Sequence, residues 1–157
     1  MDLKQLYQDI ILEHGKSPRN LGKLKEYSHD AKGYNPLCGD RVHIYLKLNN
    51  KKKVENLTFE GDGCAISLAS ASIMTELVKG KLYDEAKEII NDFLDMVKNT
   101  SNIKTKNLDE DQKTIIMSLS GVKQFPMRVK CATLAWHTLT SAIEGKSEDV
   151  NTEAIET

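Results

Sequence analysis

The apolar and polar positions of this chain change period along its length, and each period predicts an element. From Val42, the apolar residues Val42, Ile44, Leu46 and Leu48 alternate with His43, Tyr45, Lys47 and Asn49, which predicts a half-buried strand. The polar run "NNKKK" reads as a turn with Lys51, Lys52 and Lys53 in solvent, and "VENLTFEG" as the antiparallel partner with Leu57 and Phe59 inward. Upstream, Gly22 and Gly33 punctuate a loop-rich passage with room for a short strand between Tyr27 and Tyr34.

Helical spacing governs the rest. Leu3, Leu6, Tyr7, Ile10, Ile11 and His14 form one stripe, with Gly15 as a stop and Pro18 blocking continuation. "AISLASASIMTELVKG" carries Ile66, Ala69, Ile73 and Leu77 on a stripe, and its small residues admit a close neighbour. "DEAKEIINDFLDMVKN" is the clearest helix, since Ala86, Ile89, Ile90, Phe93, Leu94 and Val97 share a face and Asp84 and Glu85 suit its positive N-terminus. Asp109 and Gln112 resemble a capping box ahead of Ile115, Ile116 and Leu119. After "QFP" a last helix carries Val129, Ala132, Trp136, Leu139 and Ile143 as far as Gly145.

This order predicts an α+β fold: a small antiparallel β-sheet of about three strands with helices packed on one face. Residues 1–145 are expected to form a single domain, and the polar residues 146–157 a frayed tail. At 157 residues the chain is long enough to close one core without staples. Its 22 basic and 23 acidic side chains leave a net charge of −1, so no global field draws it to nucleic acid or to an anionic membrane. "MDLKQLYQDIILEHG" sets acids within its apolar pattern, unlike a signal peptide, and no run is apolar enough to span a bilayer, so the expected location is the cytoplasm.

Thiols stay reduced there, and three widely spaced cysteines fit metal binding or thiol chemistry better than a disulfide framework. Cys38 is expected in a loop entering a strand, Cys64 at the start of a helix after Gly61 and Gly63, and Cys131 in the first turn of the last helix. Helix N-termini favour thiolate over thiol, and a thiolate is both metal ligand and nucleophile. Zinc takes four tetrahedral ligands, which the three cysteines and Asp40 would supply. The Cys-x-Asp unit matches no common zinc-finger pattern, and free cysteines also serve as small buried hydrophobes, so the residues alone leave both readings open. His14 reads as structural, His43 as solvated, His29 as a loop residue and His137 as packed or exposed. No glycine-rich phosphate loop occurs.

The blocks "LYQDIILEHGKSPRNLG", "NPLCGDR", "GDGCAISLASASIM" and "FPMRVKCATLAWHTL" span nearly the whole chain, one at the first helix and one at each cysteine. Together they resemble the SufU-type sulfur-transfer proteins, relatives of the IscU iron–sulfur scaffold proteins. IscU-like proteins place a histidine immediately before the third cysteine, where this chain has Lys130, and lack the longer polar segment that ends here in "GVKQFPMR". Both features resemble the SufU side.

The resemblance implies an IscU-like fold and a zinc site from Cys38, Asp40, Cys64 and Cys131, with Cys38 the sulfur acceptor and Arg128 in support. It implies a zinc-dependent sulfurtransferase or sulfur carrier that takes persulfide sulfur from a SufS-type cysteine desulfurase and relays it to downstream iron–sulfur assembly proteins. The desulfurase, not this chain, would supply the pyridoxal phosphate chemistry. A desulfurase histidine would replace Cys38 on zinc during docking. Two alternatives use the same residues: an IscU-like scaffold that assembles a transient iron–sulfur cluster or holds iron, and a structural zinc-binding module.

Overall fold

Strand pairing brings distant cysteines to one end of a sheet, and helices then cover the face on which they lie. A computed structural model describes residues 2–99, 102–146 and 148–155. Strands β1 (His29–Asn35), β2 (Asp40–Leu48) and β3 (Val54–Asp62) form an antiparallel meander. A short strand β4 (Val150–Asn151) joins β1 in parallel, giving the order β3-β2-β1-β4. The sheet therefore has one strand more than expected and is mixed rather than antiparallel.

The extra strand comes from the segment expected to fray. Val150 and Asn151 pair with Gly33 and Tyr34, and Thr152 begins a 3₁₀ turn (Thr152–Ala154) with its side chain buried. Polar composition pointed to solvation, but the free edge of β1 presents backbone groups that a short strand can satisfy. Ser147, Glu156 and Thr157 of this segment lie outside the described residues.

Helices α1 (Leu3–Lys16), α2 (Ala65–Val78), α3 (Tyr83–Lys98), α4 (Glu110–Ser118) and α5 (Pro126–Ile143) follow the predicted stripes. The capping box of α4 forms as read: Asp109 accepts the Gln112 N–H at 2.7 Å, and Gln112 accepts the Asp109 N–H at 3.0 Å. Val42, Ile44 and Leu46 of β2 and Leu57 and Phe59 of β3 are buried in the core beneath α2 and α5. Trp136 of α5 stacks on Phe93 of α3 with ring centres 4.0 Å apart and donates its Nε1–H to Ser70 of α2 at 2.9 Å. One side chain thus ties three helices together. His14 is buried with Nδ1 2.7 Å from Ser72 Oγ, a packing role that locks α1 to α2.

The other face of the sheet is polar but not simply solvated. His43 lies 2.7 Å from Asp30 and 3.0 Å from the Tyr45 hydroxyl, which donates to Glu60 at 2.6 Å. Burial and the Glu60 carboxylate push the Tyr45 phenol well above its ordinary range. Among the described residues, no helix is long and apolar enough to cross a membrane.

Candidate metal centre

Sheet register builds the site. Asn35 and Asp40 face each other across the β1–β2 hairpin, and Cys38 sits on the turn between them. Both share the helix-facing parity of Val42 and Ile44, which leaves Asn35 0% and Asp40 1% exposed. A slip of one residue in the pairing would turn Asp40 outward. On the neighbouring strand Asp62 opposes Arg41, so the chain that follows, Gly63 and Cys64, runs beside Asp40. Cys64 is the N-cap of α2, and Cys131 enters from α5.

These elements bring the ligand atoms of Cys38, Asp40 and Cys131 within 4.8 Å of one another. Both oxygens of the Asp40 carboxylate are held. Oδ1 accepts the Cys64 N–H at 2.9 Å, and Oδ2 accepts from Asn35 Nδ2 at 3.0 Å. Gly63 makes the approach possible, because its φ is +141° and a Cβ there would overlap Asp40 Oδ1.

Cys64 stands beside the trio rather than within it, its sulfur turned to accept the Ser67 N–H at 3.5 Å. Interaction with Cys131, and then the backbone N–H groups of Ser67 and Ile66, pull the Cys64 thiol below its ordinary value, against the opposing effects of burial and Asp40. The backbone share of this shift is the helix-start effect expected from sequence, and the larger share comes from Cys131. Cys131 departs from expectation. Pro126 opens α5, which places Cys131 in the second turn, fully buried and beyond the free N–H groups. Cys64, burial, Asp40 and Cys38 together push its thiol up.

Arg128 projects over the same end of the sheet, with Nη1 3.6 Å from Cys38 Sγ. The thiols of Cys131, Cys38 and Cys64 hold its guanidinium in the charged form. The turn carrying Cys38 leaves that residue half-buried, in contrast with Asp40 and Cys131. A separate cleft of about 740 Å³ between α5 and the C-terminal segment contains none of these residues.

The donor set suits a cation of the zinc class. Among the described residues, Asp40 is buried with hydrogen bonds from neutral donors only, and burying a carboxylate costs several kcal/mol unless charge is compensated. The buried Cys131 thiol resists ionisation in the same way. A divalent ion coordinated by these atoms would remove both penalties. Cys38, Asp40 and Cys131 would provide three ligands, and Cys64, at the edge of the trio, the fourth.

Asn35, not among the candidate ligands read from sequence, is part of this arrangement. Its Nδ2 donates to Cys131 Sγ at 3.4 Å as well as to Asp40. The available signal was positional: an amide opposite Asp40 across a tight turn, on the parity that faces the helices.

Residues 6–132 match the family described as the NifU-like N-terminal domain. The chain belongs to that family. Among similar family proteins, the zinc-dependent sulfurtransferase SufU of Bacillus subtilis is 40% identical over 142 residues, covering 90% of this chain and 92% of SufU. The iron–sulfur cluster assembly scaffold protein IscU of Streptococcus pyogenes is 38% identical over 142 residues, covering 90% of this chain and 85% of IscU. The crystal structure of FiSufU, described as a scaffold protein for the SUF system of Fervidobacterium islandicum AW-1, matches with a TM-score of 0.77 at 33% identity. That match covers 88% of this chain and 97% of FiSufU.

Proposed function

We propose that this protein is a zinc-dependent sulfur acceptor of iron–sulfur cluster assembly, taking persulfide sulfur from a cysteine desulfurase onto Cys38 and relaying it onward in the cytoplasm. The observation that carries this reading is the asymmetry of the donor set. Asp40 and Cys131 are sealed in the core and hydrogen-bonded by Asn35, Cys64 is half-buried at the start of α2, and Cys38 is half-buried on a turn with Arg128 beside it.

Cys38, Asp40, Cys64 and Cys131 would hold zinc, which when bound keeps its thiolate ligands deprotonated while moderating their nucleophilicity. The Cys38 thiolate attacks the outer sulfur of the desulfurase persulfide; the new sulfur–sulfur bond forms as the old one breaks, and the desulfurase thiolate departs. No external oxidant is needed. Arg128 orients the attacking sulfur and compensates charge as sulfur passes between the two chains. Leu37 next to Cys38, and Phe125 and Met127 near Arg128, are exposed large apolar side chains of the kind that partner contacts bury.

The relative named a scaffold supports a second reading, assembly of a transient cluster on the same cysteines. Lys130 favours sulfur transfer, because its ammonium is engaged by Glu153 at 3.0 Å and offers no lone pair to iron. Metal analysis separates the readings. Stably bound zinc in aerobically purified protein, with sulfur accepted on Cys38, supports the acceptor; zinc without sulfur acceptance supports a structural module; cluster absorbance after anaerobic loading with iron and sulfide supports the scaffold.

A further inference from the structure

We infer that Asn35 is a positioning residue for the metal centre and that the C-terminal segment, through Thr152, fixes the orientation in which it acts. The inference rests on the metal reading above and deepens it. A primary amide has one donor end and one acceptor end, and only one way round serves this site. With Nδ2 toward the centre, Asn35 donates to Asp40 Oδ2 at 3.0 Å and to Cys131 Sγ at 3.4 Å. Turned over, its carbonyl oxygen would face a carboxylate and a sulfur.

The acceptor-only Asp40 carboxylate selects the first, and Thr152 secures it: its hydroxyl donates to Asn35 Oδ1 at 3.0 Å, so the amide is held at both ends with its donor end toward the ligands. Asn35 is 0% and Thr152 1% exposed, which leaves no water to substitute for that bond. The segment is tethered on both sides. Its strand pairs with β1, the strand that ends at Asn35, and Glu153 binds Lys130, the residue immediately before Cys131.

The consequence is selective. The clamp reaches Asp40 and Cys131 through one amide, while Cys38 is contacted from outside by Arg128. Outer-shell hydrogen bonds of this kind orient ligands and raise metal affinity. The C-terminal segment thus holds the static half of the centre rigid and leaves the reactive half free.

The test uses the full chain with Thr152→Val, Thr152→Ser and Asn35→Ala. Zinc affinity is read by competition with a chromophoric chelator, ligand geometry by the visible spectrum of the cobalt(II) form, and folding by melting of the metal-free protein. Asn35→Ala should weaken zinc about 10- to 100-fold, and Thr152→Val roughly tenfold with shifted cobalt bands. Thr152→Ser, which restores the hydroxyl, should recover the wild-type values. Unchanged affinity and spectrum in Thr152→Val would overturn the role of the segment, even if the metal-free protein melted earlier, because a merely structural contact lowers melting alone. Unchanged values in Asn35→Ala would overturn the positioning role itself; if that variant does not fold, the two Thr152 variants decide. Wild-type protein that takes up neither zinc nor cobalt would overturn the metal reading and this inference with it.

Discussion

Arg128 Nη1 lies 3.6 Å from Cys38 Sγ, an exposed contact on a half-buried sulfur. A guanidinium there offers the sulfur a charged hydrogen-bond donor. Arg128→Ala should therefore retain zinc and slow sulfur transfer by about tenfold or more, with Arg128→Lys recovering only part of the rate. Metal content and single-turnover transfer rates measured together check this. Loss of zinc from Arg128→Ala would make the residue structural instead.

Gly63 carries both a positive φ and a contact with Asp40 that leaves no room for a methyl group. Gly63→Ala should destabilise the fold by about 1–3 kcal/mol and weaken metal binding, since relief of the overlap moves either the carboxylate or the start of α2. Urea unfolding with zinc titration reads both effects. Wild-type stability and affinity would contradict the packing described.

Burial, aided by Arg19, lowers the pKa of His14 from its ordinary value of 6.5, and burial lowers that of His137 in the same direction. As pH falls through that ordinary value, the unfolded chain binds protons that the folded chain resists. Their contribution to stability is therefore complete above it and is lost as pH falls through the folded-state values. The melting temperature should drop between pH 7 and pH 5, and His14→Gln should flatten that slope. A slope unchanged by His14→Gln would contradict the account of α1 docking.

Site formation is coupled to folding, so chelating the metal should lower the melting temperature of the wild type by about 5 °C or more. Cys131→Ser should melt earlier and gain little from added zinc. Equal melting of the chelated and zinc-loaded wild type would argue against a formed centre.

Most of the fold was legible because its elements are locally encoded. The strand from Val42 and the helices α3 and α5 form where their periods place them, with Tyr45 buried against the alternation and Leu48 half-buried beside a register shift. The C-terminal strand was not legible, because its cause is the unpaired edge of β1, more than a hundred residues away in sequence. Of the proposed ligands, Cys38 and Asp40 share one turn and could be read together. Cys64 and Cys131 reach them only through strand register and helix packing, and family resemblance rather than spacing linked them. Asn35 escaped notice because its role depends on facing Asp40, a relation created by the hairpin.

The central claim is that Cys38 receives the sulfur. Intact-mass analysis with peptide mapping, after zinc-loaded protein is incubated with a cysteine desulfurase and cysteine, addresses it most directly. One added sulfur atom should appear on the peptide containing Cys38 and be absent from Cys38→Ser. Added sulfur on Cys64 or Cys131, or its persistence in Cys38→Ser, would contradict the account.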